Sequence, residues 1–171
     1  MNFNKFKELE KKVVFEQIAS FLKRENLTII EQDQTRPWGG FFVIDEQQTK
    51  SFILKFFPDM NLSEMQLSNK LSPKILIIAP HKRLSWQYHF RRSEIWRILS
   101  GSVGVKTSVT NEEDELQTLL EGDVIKIDKE ERHRIIGLDS WGIVAEIWQH
   151  NDSENPSDED DIVRLQDDFG R

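Results

Sequence analysis

A chain of 171 residues, with 37% apolar and 31% charged residues, is long enough to form one domain with its own core. The net charge of −7 argues against a nucleic-acid partner, which would need a basic surface, and the lack of cysteine excludes disulfides and thiolate metal sites. No apolar stretch approaches the roughly 20 residues that cross a bilayer, and the charged N-terminus lacks the apolar segment of a signal peptide. We therefore expect a cytoplasmic protein that binds neither nucleic acid nor membranes.

The first part of the chain, residues 1–73, predicts an extension of helices and short strands that packs on the rest of the domain. Apolar residues recur with helical spacing over 3–24, and Asp45 is suited to cap a second helix. Pro73 is expected to end this extension. The predicted elements are helices over 3–24 and 45–57, strands over 27–31 and 41–44, a Pro- and Gly-containing turn over 36–40, and a linker or short helix over 59–73.

The second part, residues 74–171, has the pattern of a β-sandwich or barrel. Short apolar segments follow one another, separated by Ser-Gly, Asn-Glu-Glu-Asp, Glu-Gly-Asp and Asp-Ser turns, with no helical spacing between them. An acidic, Pro-containing loop follows and leads into 160–171. The predicted strands cover 74–79, 84–90, 94–99, 103–107, 116–120, 124–127, 133–137 and 142–148.

Four residues of the second part have the chemistry and spacing of a metal site. Gln87 and His89 are two apart, so on a strand both side chains point to the same face, and Glu94 and His133 follow from two further strands. Imidazole, amide oxygen and carboxylate suit Zn²⁺, Fe²⁺ or Mn²⁺, and such a set leaves a position open for water or substrate. We expect the strands of Gln87 and Glu94 to form a hairpin that brings Glu94 across from His89.

This spacing resembles the two sequence motifs of the cupins, and the chain is more specifically similar to type II mannose-6-phosphate isomerases. That domain also occurs fused to mannose-1-phosphate guanylyltransferases. The resemblance covers residues 36–171. The matching segments are RPWGG at 36–40, KILIIAP at 74–80, LSWQYHFRRSEIW at 84–96, SGSV at 100–103, EGDVIKI at 121–127, RHRI at 132–135 and EDDIVRLQDDFGR at 159–171.

The resemblance implies a cupin-type double-stranded β-helix, a jelly-roll barrel with N-terminal helices. It implies that Gln87, His89, Glu94 and His133 ligate one divalent ion, with zinc as the first choice and manganese, iron, cobalt or nickel as alternatives. It also implies a substrate-binding or catalytic role for Arg164. The chain departs from the family at Phe90, Arg91 and Ile95, where histidines are usual, at Asp128 and Glu130 in place of Pro and Gly, and at Phe169 in place of Tyr.

An aldose–ketose isomerase needs a base and an anion-binding group beside the metal. Glu146 is a carboxylate inside an apolar run, where burial would raise its pKa toward the useful range. Lys74 begins an apolar strand and suits either a base or a phosphate contact. Arg92 suits the phosphate because a guanidinium matches its geometry. Trp38, in its Gly-rich turn, is the one tryptophan that we assign to sugar stacking.

Three functions remain open at this stage. The first is a metal-dependent isomerase that interconverts mannose 6-phosphate and fructose 6-phosphate, or a related sugar phosphate. The second is a non-catalytic cupin that binds a sugar or nucleotide sugar, which the departures at Phe90, Arg91 and Ile95 favour slightly. The third is a cupin enzyme of another reaction, such as a sugar epimerase or a dioxygenase. A homodimer is expected, because the first helix offers an extra apolar face.

Overall fold

The computed structural model of the protein describes residues 9–65 and 70–170, and the part of the first predicted helix at 3–8 lies outside this range. Three helices are described, at Lys11–Arg24 (α1), Thr49–Phe56 (α2) and Leu62–Met65 (α3). Eleven strands are described in the same ranges, at Ile29–Asp33 (β1), Gly39–Ile44 (β2), Leu71–Ile78 (β3), Trp86–His89 (β4), Arg92–Ser100 (β5), Ser102–Ser108 (β6), Gln117–Leu120 (β7), Val124–Ile127 (β8), Arg132–Gly137 (β9), Gly142–His150 (β10) and Ile162–Gln166 (β11).

The strands form two antiparallel sheets that face each other. The larger sheet has the order β1-β2-β3-β10-β5-β8, and the smaller sheet has the order β11-β4-β9-β6-β7. Consecutive strands often belong to different sheets, as in a jelly roll. The predicted mainly β, double-sheet fold with N-terminal helices is therefore confirmed.

The larger sheet divides the apolar core into two clusters. Along β5 and β10 the side chains alternate, so that Ile95 and Ile147 face outward while Trp96 and Val144 face the interior of the barrel. The outward cluster is covered by α1 and α2, whose buried faces include Ile18 and Phe52. The inner cluster fills the space between the sheets. No helix of the described residues has the length and apolar character to cross a membrane.

Two predicted element boundaries differ from the structure. Asp45 does accept a hydrogen bond from Gln47 N at 3.0 Å, but it caps a short 3-10 turn, and α2 starts only at Thr49. Pro73 does not end the extension, because it lies inside β3 and pairs with Ile147 of β10. The strand β2 pairs with β3 only from Lys74 onward, so Pro73 lies where one side of β3 is an edge, a position that tolerates proline.

The boundary that we placed after residue 73 therefore falls within a strand. Both strands of the N-terminal part belong to the larger sheet, since β1 pairs with β2 and β2 pairs with β3. The division into an N-terminal extension and a barrel therefore describes the order of the chain, since strands of both parts share one sheet.

The predicted hairpin between the Gln87 and Glu94 segments is wrong. The strand β4 lies in the smaller sheet and β5 in the larger sheet, so the short turn between them crosses from one sheet to the other. His89 and Glu94 consequently face each other across the interior of the barrel. A two-sheet barrel allows this because the inward side chains of both sheets meet in the same space.

Candidate metal centre and the cavity around it

Three buried ligand groups meet at one end of the barrel. His89 comes from β4, Glu94 from β5 and His133 from β9, and each is at most 2% exposed. The Nε2 atom of His89 lies 3.2 Å from Glu94 Oε1, and that of His133 lies 3.6 Å from Glu94 Oε2. The two Nε2 atoms are 3.3 Å apart. These separations fit a divalent ion, because bonds of about 2.0–2.2 Å place neighbouring ligand atoms roughly 3.0–3.6 Å apart.

Both histidines present an Nε2 lone pair to this point. The Nδ1 atom of His133 lies 2.9 Å from the Glu131 carbonyl, which only accepts, so Nδ1 carries the proton. This contact to a carbonyl is usual for a metal-binding histidine. Arg92 Nη2 donates to His89 Nε2 at 3.0 Å, so that nitrogen is also unprotonated, and a metal ion bound there would take this lone pair from Arg92. Burial lowers the pKa of His89 and lowers that of His133 to about 4, which keeps both rings neutral near pH 7.

Glu94 supplies the negative charge of the cluster. Burial would raise its pKa, but Arg92, His89 and His133 together outweigh burial and hold the pKa well below its usual range. Arg92 Nε donates to Glu94 Oε1 at 2.7 Å, and Trp96 Nε1 donates to Glu94 Oε2 at 3.0 Å. The carboxylate is therefore ionised and fixed in orientation, as a metal ligand must be.

Gln87, the fourth predicted ligand, lies on the same face of β4 as His89. It stands directly opposite His133 on β9 and opposite Arg164 on β11. Its amide oxygen accepts a hydrogen bond from Ser85 Oγ at 2.6 Å. A ligand role for Gln87 stays a prediction, since it would have to share or exchange this hydrogen bond.

The cluster opens into a cavity. Eight of the nine predicted site residues line it, and the ninth, His89, lies behind Arg92 and Glu94. Those eight are Trp38, Lys74, Gln87, Arg92, Glu94, His133, Glu146 and Arg164. The structure thus brings together residues that are spread over 127 positions of the sequence, from Trp38 to Arg164. Their individual roles stay predictions.

Glu146 lies in the floor of the cavity between two other polar side chains. On β10 it stands opposite Lys74 of β3 on one side and Trp96 of β5 on the other. The Trp96 indole N–H lies 2.9 Å from Glu146 Oε1 and 3.0 Å from Glu94 Oε2, so it links the two carboxyl groups. Burial and the nearby charge of Glu94 raise the pKa of Glu146 to about 8, against the opposing effect of Lys74. Glu146 therefore holds a proton near neutral pH and can exchange it.

Two cations contact one tryptophan at the wall of the cavity. The Trp148 ring centroid lies 3.3 Å from Lys74 Nζ and 3.5 Å from the guanidinium carbon of Arg92. Burial lowers the pKa of Lys74, while Glu146 and Glu159 oppose this effect. Trp148 was not singled out from the sequence, because its β-strand position equally fitted core packing.

Trp38 and Arg164 line the cavity from two further elements. Trp38 ends the turn before β2, and this turn requires the following glycine: Gly39 has φ +135°, and a Cβ there would lie 1.8 Å from the Ile77 carbonyl oxygen. Arg164 is on β11, a strand within the segment 160–171, for which the sequence predicted no element. The alternation of β11 turns Arg164 toward Gln87 and the interior.

The structure also places three charged residues in the cavity lining that we did not predict. Arg36 belongs to the RPWGG segment, where only Trp38 was chosen, Glu159 belongs to the EDDIVRLQDDFGR segment, and Arg134 follows His133. The two segments were the available signal for the first two, since both are part of the family resemblance. Arg134 belongs to the matching RHRI segment as well, but alternation on β9 predicts an outward side chain for it.

The three departures from the family near the first motif lie away from the cavity. Phe90 is 49% exposed, Ile95 is buried in the outward cluster, and Arg91 binds the acidic loop through Asn155 Oδ1 and the Pro156 carbonyl. None of these three lines the cavity. Glu130, in place of a glycine, adopts a left-handed φ of +64° on an exposed turn. These replacements therefore lie outside the cavity lining, on the surface, in the outward cluster and against the acidic loop.

Comparison with known proteins gives one family. The family model described as mannose-6-phosphate isomerase C-terminal matches residues 56–167, about two thirds of the chain. This range includes the three metal-ligand candidates, Glu146 and Arg164. No curated protein matches the sequence.

Solved structures show a similar fold at low sequence identity. An oxalate decarboxylase variant from Bacillus subtilis shares 12% identity and a TM-score of 0.56, over 79% of this chain and 30% of that chain. KdgF from Halomonas sp. shares 11% identity and a TM-score of 0.51, over 72% of this chain and 90% of that chain. The plu4264 protein from Photorhabdus luminescens shares 20% identity, with a TM-score of 0.41 and coverage of 49% and 64%. The chain thus spans less than two thirds of the first and third of these proteins, and the two higher scores show the cupin fold alone.

Proposed function

The chain belongs to the mannose-6-phosphate isomerase C-terminal family, and from that premise we propose that it is a metal-dependent aldose–ketose isomerase. Its substrates are mannose 6-phosphate and fructose 6-phosphate, or a closely related sugar phosphate. The observation that carries the proposal is the pairing of two sites in one cavity. The ligand cluster around Glu94 and the proton-holding Glu146 are joined by the Trp96 N–H.

The residues of the cluster would hold the metal. His89, Glu94 and His133 converge at separations that suit one divalent ion, with Gln87 as a fourth ligand, and zinc is the ion that we propose. When bound, such an ion polarises the substrate carbonyl and lowers the barrier to removing the proton from the neighbouring carbon.

Glu146 is the proposed proton carrier. Isomerisation removes a proton from C2 of the open-chain aldose and returns it to C1, so one group must accept the proton and release it again. Glu146 is buried, faces the cavity and has a pKa of about 8, so both its forms are populated at physiological pH. Lys74, its cross-strand neighbour, is the alternative carrier or an anion contact.

The cations around the cavity would bind the phosphate. Arg164 lines the cavity from β11, and its guanidinium can donate two parallel hydrogen bonds to phosphate oxygens. Arg92 also faces the cavity, but it already donates to Glu94 and to Ser157 Oγ. Trp38 is the proposed apolar surface for the sugar ring, since tryptophan offers a large flat face.

A coupled assay with purified protein tests the proposal. Mannose 6-phosphate is supplied and fructose 6-phosphate is monitored, with the protein as purified, after chelation, and after adding Zn²⁺ or Mn²⁺. We expect turnover that is lost with the chelator and restored by the metal. Absence of turnover by protein that carries a stoichiometric metal would contradict the isomerase and favour a sugar-binding cupin.

The role of Glu146 has its own test. We expect Glu146→Gln to lower kcat by about 10²–10⁴, the usual contribution of a positioned acid–base group. In the parent protein kcat/KM should rise with pH as Glu146 ionises and then level off, because only the ionised carboxylate accepts a proton. A Glu146→Gln variant that keeps the parent rate would transfer the role to Lys74.

A further inference from the structure

We propose that Lys74 and Arg36 bind the phosphate of the substrate together with Arg164, and that Glu159 occupies the place beside Lys74 until the phosphate displaces it. The inference takes its ligand, a sugar phosphate, from the proposed function. It adds two residues, Arg36 and Glu159, to the cavity chemistry. It also makes Glu159 a determinant of specificity, since only an anionic ligand can replace its carboxylate.

Lys74 is a cation that cannot turn away from the cavity. Its side chain is 9% exposed, and its Nζ lies 3.3 Å from the ring centroid of Trp148 and 5.3 Å from that of Phe41. The ammonium is thus held by two aromatic rings at a fixed place. Its cross-strand neighbour Glu146 lies in the cavity floor, so any further counter-ion must also come to Lys74 from the cavity side.

Arg36 contacts the same Phe41 ring as Lys74. Its guanidinium carbon is 5.8 Å from the Phe41 centroid, and its Nε lies 2.8 Å from Asp33 Oδ2. Asp33 is itself fixed by Thr35, which donates from its backbone N at 2.7 Å and from its hydroxyl at 2.6 Å. Asp33 therefore orients Arg36, whose planar fork suits phosphate oxygens.

Glu159 is the anion that now meets Lys74. Its Oε1 atom lies 3.5 Å from Lys74 Nζ, and its side chain is 52% exposed. The backbone under Glu159 is firmly held, because Asp158 caps its turn and also accepts from Arg91 Nη2 at 2.8 Å. Only the Glu159 side chain has to move, and the solvent at the cavity mouth can receive it.

The other buried cations of the cavity are held by the protein itself. Arg92 is 1% exposed and donates to Glu94, Ser157 and the Asp158 carbonyl. Arg134 is also 1% exposed and donates to Glu113 and to two backbone carbonyls. Lys74 differs from both, since its ion-pair partner is half exposed. An exposed ion pair is weak and easily exchanged, whereas a dianionic phosphate offers more charge and three oxygens.

Ligand titrations of the metal-loaded protein test the inference without relying on turnover. Mannose 6-phosphate, mannose and inorganic phosphate are titrated calorimetrically into the parent protein and into Glu159→Gln, Arg36→Gln and the control Glu154→Gln. Glu154 is exposed and belongs to the same acidic loop. Its replacement by Gln removes the same charge at a position away from Lys74. Circular dichroism confirms that each variant is folded.

We expect Glu159→Gln to bind mannose 6-phosphate about two- to fivefold more tightly, the range for losing an exposed ion pair. Arg36→Gln should bind it roughly ten- to hundredfold more weakly, as for a lost charge-assisted hydrogen bond. Binding of mannose should not change in either variant. In each variant the affinity for inorganic phosphate should change in the same direction as the affinity for mannose 6-phosphate. The tighter binding by Glu159→Gln should persist after the metal is chelated.

Several results would overturn the inference. These are weaker binding by Glu159→Gln, an equal gain in Glu154→Gln, equal affinity of the parent for mannose and mannose 6-phosphate, or phosphate binding that depends wholly on the metal. A protein that turns over mannose 6-phosphate but shows no response to Glu159 or Arg36 overturns the subsite and keeps the isomerase. A protein without turnover whose affinity responds as expected keeps the subsite and overturns the isomerase.

Discussion

The two faces of the larger sheet use the same strands for different purposes. On the outward face, residues such as Ile75, Ile95 and Ile147 are fully buried under α1 and α2. On the inner face, Lys74, Glu94 and Glu146 occupy the neighbouring positions of the same three strands. Because side chains alternate along a strand, one set of hydrogen bonds supports an apolar layer on one side and charged groups on the other. Stability and chemistry can therefore be altered separately.

The largest effect is expected from removing a metal ligand on the inner side of the barrel. His133→Ala should lose bound metal and, with it, at least a thousandfold in turnover, since a metal contributes several kcal/mol to such reactions. The fold should remain, because the outward cluster is untouched. Metal content by elemental analysis and far-UV circular dichroism check both parts.

The control for His133→Ala is His81→Asn, an exposed histidine outside the cluster with a left-handed φ of +57° that Asn tolerates. Full metal content in His133→Ala, or equal loss in His81→Asn, would remove His133 from the proposed site.

On the outward side, a substitution is expected to lower the stability of the fold and to leave the metal site unchanged. Phe52 is fully buried in α2, with its ring centroid 4.8 Å from that of Phe56. Phe52→Ala should lower the free energy of unfolding by about 3–5 kcal/mol through the cavity that it leaves. Metal stoichiometry and KM of the folded variant should match the parent. Denaturant unfolding measures the loss.

Leu54→Ala on the same helix is the matched control for Phe52→Ala, because Leu54 is 67% exposed. It should change stability by less than about 0.5 kcal/mol. A large loss of metal from folded Phe52→Ala would show that the two faces are coupled rather than independent.

A smaller effect is expected from Arg164, a cation that lines the cavity from β11 and is not one of the proposed metal ligands. Arg164→Gln should keep its metal and raise KM for the sugar phosphate roughly ten- to hundredfold, as one lost charge-assisted contact implies. Steady-state kinetics on metal-loaded protein measures this. Arg97→Gln is the control, since Arg97 lies on the outward side 3.2 Å from Asp59. An Arg164→Gln variant as active as the parent would refute the role.

The smallest effect is a gain in stability from removing a charge on the inner face. The pKa of Glu146 is raised to about 8 in the folded protein, so the unfolded chain releases this proton at lower pH. Stability is therefore lost as pH rises from the unfolded value toward pH 8. Glu146→Gln cannot ionise, and we expect it to be more stable than the parent at pH 8 by on the order of 1–2 kcal/mol.

Denaturant unfolding at about pH 4.5 and pH 8 checks this prediction for Glu146→Gln. The gain over the parent should be small at the lower pH and larger at the higher pH, whereas the exposed Glu115→Gln should show no such difference. A gain that does not depend on pH would mean that packing, and not ionisation, distinguishes the two side chains.

The sequence was informative where function depends on local pattern. Alternating short segments and turn residues predicted the strands, and the spacing of Gln87, His89, Glu94 and His133 predicted which side chains share an interior. The sequence was less informative for single positions. Pro73 suggested the end of an element, because a strand accepts proline only where no neighbouring strand pairs with it, and the sequence does not show that β2 stops short of Pro73. The strand β11 was not predicted, because its partner, β4, is about 70 residues away.

The amino-acid sequence by itself therefore indicated the double-sheet fold through its periodicity and turn residues, and its resemblance to a known family indicated the family and the candidate ligands. The tertiary structure alone decided that β4 and β5 lie in opposite sheets, so that His89 meets Glu94 across the barrel. It also decided that Trp148 contacts two cations and that Glu159 reaches Lys74 from a distant loop. These contacts depend on how the sheets face each other, and residues far apart in the chain carry no local signal of it.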